Sequence, residues 1–305
     1  MTTDADLAAT FTAERARLLN LAYRLLGSWA DAEDVVADAW PRWSSSGAQV
    51  RNPAAWLTTV VSRLALDLLR SARARRENYV GPWLPEPVLH GLDGHPLPGV
   101  TPGQDPALVV ELDESVRMAF LVVLHELSPE QRVAFVLHDV LQVPFVTVSE
   151  VLGCSLVAAR QYASRARARV RAADPPETIA VEPALLLLDQ LGAALATGDA
   201  RGLARLLAPD VVMVSDGGGD VFAARRPMLG AEVSRFLLGL GTRMSTPELT
   251  VDQVLVNGQP GVLMRSPQAQ TGQPAVGVYS FAVRDGLIVG VHAVLAPAKV
   301  DRYAG

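Results

Sequence analysis

The chain has 305 residues, half of them hydrophobic, with a formal net charge of −5 at pH 7. That length suits two or three domains with sizeable cores, and the acidic total does not mark a nucleic-acid binder by itself. Cys154 is the single cysteine, which excludes an intrachain disulfide and a cysteine-based zinc site. It reads as a small buried residue rather than a nucleophile. No apolar run approaches the ~18 residues of a membrane helix; Ala119–Leu124 and Ala184–Leu188 are far too short. The opening MTTDADLAAT lacks the basic start and apolar stretch of a secretory signal, so a cytoplasmic protein is expected. Lys299 is the one lysine; all other fixed positive side chains are arginines. Guanidinium forks suit phosphates and guanine edges, so the informative feature is where they cluster.

From Asp4 to Leu26, apolar residues at Leu7, Phe11, Leu18, Leu21 and Leu25 have helical spacing, and Gly27 suits a stop. A second helix is expected from Ser28 to Trp43. Asp31, Glu33 and Asp34 lie in its first turns, where the helix dipole favours anions, and Asp38 extends the acidic face. Pro41 predicts a kink or an early end. Ser44 to Asn52 reads as a polar loop. The next helix, Pro53 to Arg76, pairs an apolar stripe (Trp56, Val60, Leu64, Leu68) with a cationic end formed by Arg63, Arg70, Arg73, Arg75 and Arg76. Asn52 is its expected N-cap and Pro53 its first residue. Such a helix can dock on a small core and hold arginines against a polyanion. Trp56 sits on the stripe and reads as core.

Seven prolines and five glycines between Tyr79 and Pro106 mark a linker. Within it Trp83-Leu84-Pro85-Glu86-Pro87 is more apolar than a spacer needs, consistent with a polyproline segment resting on a neighbouring domain. A second helical unit follows from Ala107. Ser128, Pro129 and Gln131 form a helix-start signature, Pro144 opens a further helix, Gly153 ends it, and Ser155 caps the last. Two helices around a short glycine turn make a helix-turn-helix. The second helix carries Arg160, Gln161, Ser164 and Arg165 early and Arg167, Arg169 and Arg171 later. That order suits base edges first and phosphates after.

Beyond Asp174 the pattern changes. Helices are expected over Val181–Thr197, Ala200–Leu207 and from Arg226, and strands at Pro209–Ser215 and from Leu249, Gly261, Ala275 and Leu287. Asp216-Gly217-Gly218-Gly219-Asp220 reads as a turn and Arg284-Asp285-Gly286 as a hairpin, giving an α+β domain with a curved antiparallel sheet. The five histidines show no ligand spacing and the glycine run lacks a phosphate-loop Lys-Ser/Thr, so no metal or cofactor is expected.

Several segments resemble one family. LLNLAYRLLGSWADAEDVVADAW is similar to sigma region 2, NPAAWLTTVVSRLALDLLRSARARRENYVGPWLPEP to its basic helix and the following linker motif, and LSPEQ through RARARV to sigma region 4. SDGGGD resembles a glycine motif of the subgroup of extracytoplasmic-function sigma factors with a fused SnoaL-like domain, the sigma-J type. The resemblance implies a multidomain chain: two all-α domains, 1–78 and 107–174, the second with the helix-turn-helix, joined by the linker 79–106 and followed by an α+β SnoaL-like cone over 175–305. It implies binding to the RNA polymerase core, at its clamp and flap regions, and to promoter DNA, without catalysis. Asp31, Glu33, Asp34 and Asp38 would face the clamp. Asn52 and the loop before it would capture a flipped promoter base, with Arg63, Arg70, Arg73 and Arg76 on the minus-ten element. Arg160, Gln161, Ser164 and Arg165 would read the minus-thirty-five element. Trp83 to Pro87 and Asp216 to Gly219 would mediate regulation between domains. The motif's usual final lysine is Asp220 here, and APAKV (Ala296–Val300) matches the subgroup's C-terminal motif only loosely.

A second reading is a ligand-binding or catalytic SnoaL-like protein with an accessory DNA-binding module. Its polar candidates are Asp216, Arg225, Arg226 and His292, and its ligand an unknown small molecule in the C-terminal domain.

Overall fold

The structure, a computed structural model, describes residues 3–75, 81–95, 97, 116–173, 179–243, 249–267 and 269–304. The described residues form two compact units. One is helical, made by residues through 75 and from 121 to 173; the other holds 81–97, 116–120 and everything from 179 onward. The segments expected as two separate helical domains therefore share one unit, and the linker's described residues belong to the sheet unit.

The helical unit begins with α1 (Asp4–Leu26), stopped by Gly27 in the left-handed region at φ 67°. The Ser28 hydroxyl accepts from Asp31 N and starts α2 (Trp29–Ser46). Pro41 does not end this helix. The chain stays helical to Ser46 and tightens into a 3₁₀ turn, Gly47–Gln49, so most of the expected polar loop is helical. Two local features explain this. The Ser44 and Ser45 hydroxyls donate back to the Pro41 and Arg42 carbonyls. Gly47 lies so close to Trp43 that a Cβ there would meet the indole at 2.8 Å. Trp43 is fully buried and its Nε1 donates to Leu7 O at 2.9 Å, tying α2 to α1. Then α3 (Pro53–Arg75) packs Leu57, Val61 and Ala65 against both. Asn52 Oδ1 accepts from Ala55 N, the expected cap.

Continuing, α4 spans Met118–His125; the chain before residue 116, expected to extend this helix, lies outside the described residues. Ser128 and Gln131 exchange capping-box hydrogen bonds at the start of α5 (Pro129–Phe135), which runs on through a widened π turn at Val136–Val140. The helix-turn-helix is α6 (Phe145–Leu152), Gly153 at φ 64°, and α7 (Leu156–Ala173). Cys154 lies in this turn, half-buried, its thiol pushed above the usual range by burial. Ala159, Ala163 and Ala166 form the inner face of α7 and are fully buried; their small size lets α7 approach α5 closely. Arg132 on α5 is buried, and its Nη1 donates to Leu25 O at 3.1 Å, joining the two helical halves.

The sheet unit contains β1 (Leu89–His90), α8 (Val181–Thr197), α9 (Ala200–Leu206), β2 (Leu207–Asp216), β3 (Met228–Leu229), α10 (Ala231–Arg243), β4 (Thr250–Val256), β5 (Gln259–Arg265), β6 (Val276–Arg284), β7 (Leu287–Val294) and a short closing helix, α11 (Pro297–Val300). The strand order is β1-β4-β5-β6-β7-β2-β3, and β2 runs parallel to β7, so the sheet is mixed rather than wholly antiparallel. Met228–Leu229, expected in a helix, pairs with β2 instead. Pro227 fixes the entry, and Gly230, at φ 49°, donates to Val211 O before α10 begins. Asp285 and Gly286, at φ 51° and 75°, make the expected tight hairpin, and Asn257-Gly258 makes a second, at 52° and 78°.

Strand alternation assigns the faces. Met213, Tyr279, Phe281, Val291 and Ala293 face α8, α9 and α10, forming the main core with Leu187, Leu191, Leu203, Val233 and Leu237. Val214, Asp216, Ser280 and His292 lie on the other face. No helix among the described residues is long and apolar enough to cross a membrane.

Candidate nucleic-acid and polymerase interfaces

The helix-turn-helix presents a defined stripe. Arg160, Gln161, Ser164 and Arg165 are all exposed, opposite the three buried alanines. Spacing of three and four residues puts them on one side of α7, and that side carries no core duty. The Phe145 ring stacks on His138 with centroids 3.7 Å apart, and the Arg160 guanidinium lies 5.7 Å from that ring. Farther along, Arg167 pairs with Asp139 at 2.8 Å and Arg169 with Glu126 at 3.4 Å.

On α2, Asp31, Asp34 and Asp38 are exposed; Glu33 is half-buried and 3.6 Å from Arg15. Ala32, Val35, Val36 and Ala39 turn inward, so the acids form the outer face.

The α3 arginines are engaged differently from expectation. Arg63 Nη2 donates to Glu150 O at 2.8 Å, in the last turn of α6, where unsatisfied carbonyls attract a cation. Arg70 Nε donates to Glu130 Oε1 at 3.0 Å at the start of α5. Burial alone would raise the Glu130 carboxyl; its own backbone N–H, Arg70 and Ser128 outweigh this and hold it below the ordinary range. Two arginines assigned to promoter DNA thus bind the helix-turn-helix half of their own unit. The side chain of Arg73, and all of Arg76, lie outside the described residues. Trp56 is half-buried, its ring 5.6 Å from that of Trp43, as its place on the stripe implied.

In the sheet unit the linker motif is built into the domain. Leu84 through His90 are buried, and β1 pairs with the edge of β4. Asp216, with no exposed surface, accepts from Leu84 N at 2.8 Å, Gly218 N at 3.0 Å and Lys299 Nζ at 2.6 Å. Lys299 Nζ also donates to Leu84 O and sits 4.1 Å from the Trp83 ring centroid, a cation–π contact. Glu86 pairs with Arg302, Tyr303 Oη donates to Pro87 O at 3.0 Å, and Asn257 bonds Val88 through both N and Oδ1. The glycine run is a consequence of this clasp. Gly218 and Gly219 need positive φ (69° and 91°), and a Cβ on Gly217 would meet Val221 O at 2.6 Å.

Sequence reasoning missed Lys299, Arg302 and Tyr303. The signal available was a solitary lysine in a loosely matching motif. The polar candidates for ligand chemistry do not converge. Asp216 holds the linker, and Arg226 makes a two-pronged pair with Glu232 at 3.1 and 2.8 Å. His292 lies on the face away from the helices, near Ser280 Oγ at 3.4 Å; burial pushes its pKa down to about 4. Among the described residues no group of three or more His, Cys, Asp or Glu side chains could hold a metal ion.

A helical unit with an acidic outer face, a cationic helix and a helix-turn-helix bearing an outward polar stripe has the outline of a transcription-initiation factor. Family models agree with it: sigma-70 region 2 matches residues 10–75 and sigma-70 region 4 residues 117–170. The chain is 44% identical over 302 residues to the ECF RNA polymerase sigma factor SigJ of Mycobacterium tuberculosis, covering 97% of this chain and 92% of that protein. It is 30% identical over 298 residues to the probable ECF RNA polymerase sigma factor SigI of the same species, with 97% and 95% covered. The crystal structure of M. tuberculosis SigJ matches with a TM-score of 0.77 at 40% identity, covering 97% of this chain and 98% of that one. The chain belongs to the extracytoplasmic-function sigma factors of RNA polymerase.

Proposed function

We propose that α2 docks on the polymerase clamp through Asp31, Glu33, Asp34 and Asp38, and that the helix-turn-helix half serves the flap and the minus-thirty-five element through Arg160, Gln161, Ser164 and Arg165. Asn52, Arg63, Arg70, Arg73 and Arg76 take the minus-ten element. The chain works in the cytoplasm as a non-enzymatic initiation factor, and its functional divisions are 1–78, 107–174 and 175–305, with a linker, 79–106, whose Trp83 to His90 are held by the last. What supports this best is the exposed stripe of α7, whose four polar side chains lie opposite the buried alanines.

Control in cis belongs to the same proposal. Arg63 and Arg70 each commit a guanidinium N–H to Glu150 O and Glu130, and promoter engagement exchanges those contacts for phosphates. The C-terminal domain grips Trp83 to Pro87 through Asp216, Lys299, Arg302 and Tyr303, which ties down this part of the linker between the two sigma regions. Releasing that grip lets the regions separate.

Because Lys299 is the sole lysine and 12% exposed in its side chain, amine acetylation reports the clasp directly. In the free protein Lys299 resists acetylation, and binding to core polymerase raises its modification, read by peptide mass mapping. Equal protection in both states, with run-off transcription unchanged by truncation after Asp174, would discard control through the clasp.

A further inference from the structure

Large apolar side chains are scarce on the surface of the helical unit. Among its described residues, those left exposed are Val146 at 58% and Val157 at 63%, and both belong to the helix-turn-helix. A lone exposed valine is ordinary on a protein surface. The position of Val157 is not. It lies in the first turn of α7, and Arg160, Gln161, Ser164 and Arg165 follow it at three, four, seven and eight residues. Those intervals bring all five onto one side of the helix. Val157 is therefore the N-terminal member of the polar stripe, at the end of a recognition helix that enters the major groove first. Phe145 steadies Arg160 one turn later, so the surface around Val157 is held in place rather than loosely solvated. The one apolar feature of a major-groove base edge is the C5-methyl group of thymine.

We propose that Val157 is a specificity-determining residue whose methyl groups pack on a thymine C5-methyl in the minus-thirty-five element. This rests on the assignment of α7 to that element. It adds to the polar readers, which can donate to thymine O4, a selection for the methyl group that their hydrogen-bonding groups do not make.

The test uses holoenzyme reconstituted from core polymerase and the full chain, on a promoter selected from a randomised library. Each thymine of the upstream element, on either strand, is replaced singly by deoxyuridine, which removes only the methyl. Burying one methyl-sized group predicts about a fourfold loss of affinity at one position. Val157→Ala should bind the thymine and deoxyuridine probes there equally, and about as well as the parent binds the deoxyuridine probe. Val157 is exposed and alanine is the better helix former, so folding is not at stake. An unchanged thymine preference in Val157→Ala, or no methyl-dependent position at all, overturns the proposal. Arg160→Ala separates the layers. If it abolishes promoter selectivity while the methyl dependence survives Val157→Ala, Val157 alone was misassigned. If neither variant alters selectivity, α7 does not read this element and both assignments fall.

Discussion

Asp216 is fully buried and Lys299 nearly so; the carboxylate accepts from Leu84 N, Gly218 N and Lys299 Nζ, and the ammonium rests on Trp83. Removing one member leaves the other charge buried and unpaired, which costs more than the pair itself contributes. Lys299→Met should therefore destabilise the sheet unit by about 3 kcal/mol, and adding Asp216→Asn should recover part of that loss; urea midpoints of the two variants check it. His292 illustrates a different electrostatic effect. Its folded pKa of about 4 lies below the ordinary 6.5 because burial disfavours the imidazolium. The unfolded chain takes up a proton between those values while the folded chain does not. Stability is thus full above pH 6.5 and declines on acidification, by about 3 kcal/mol once pH 4 is reached. His292→Asn should show a flatter stability profile between pH 7 and 4 than the parent; identical profiles would mean the imidazole keeps its solution pKa.

At the level of elements, α2 behaves differently from what local propensity suggests. Pro41 removes one hydrogen bond from α2, yet Trp43 and Gly47 lock the next turn against α1 and carry the helix on. Pro41→Ala should restore the bond and raise the melting point of the helical unit, a gain of about 1–3 kcal/mol set against the proline penalty. For α7, Arg160 and Arg165 act on the outside only. Substituting either with alanine should leave stability within about 0.5 kcal/mol, weaken promoter binding and reduce its salt dependence; thermal melts and binding from low to moderate salt separate these effects. Helix ends here were readable because a cap closes within four residues: Asn52 to Ala55, Ser128 to Gln131, Ser155 to Ala158. The docking of Trp83 to Pro87 was legible in its apolar character, but its partners Asp216, Lys299, Arg302 and Tyr303 were not, since they lie far along the chain.

For the molecule as a whole, removing the C-terminal domain does more than remove a module. Leu84, Val88 and Leu89 are fully buried by the sheet unit, so a chain ending at Asp174 exposes them on the linker. Run-off transcription should differ between the full and shortened chains, and the shortened one should bind an apolar dye more strongly. Equal transcription would show that the domain is a passenger. The contacts of Arg63 and Arg70 with α6 and α5 should also make the compact form of the helical unit loosen with rising salt, because both arginines are solvent-accessible.

By itself the sequence determined most of the helices and their caps, the helix-turn-helix, the β-rich end and the outward placement of the α7 stripe. All of these follow from periodicity and from hydrogen bonds closed within one turn. Only the tertiary structure decided that Lys299 clasps Asp216 and Trp83, that Arg63 and Arg70 are occupied by their own unit, that β2 and β7 run parallel, and that His292 turns away from the helices. Those outcomes join residues scores of positions apart, and they exist only once the sheet has closed and chosen which face each strand presents.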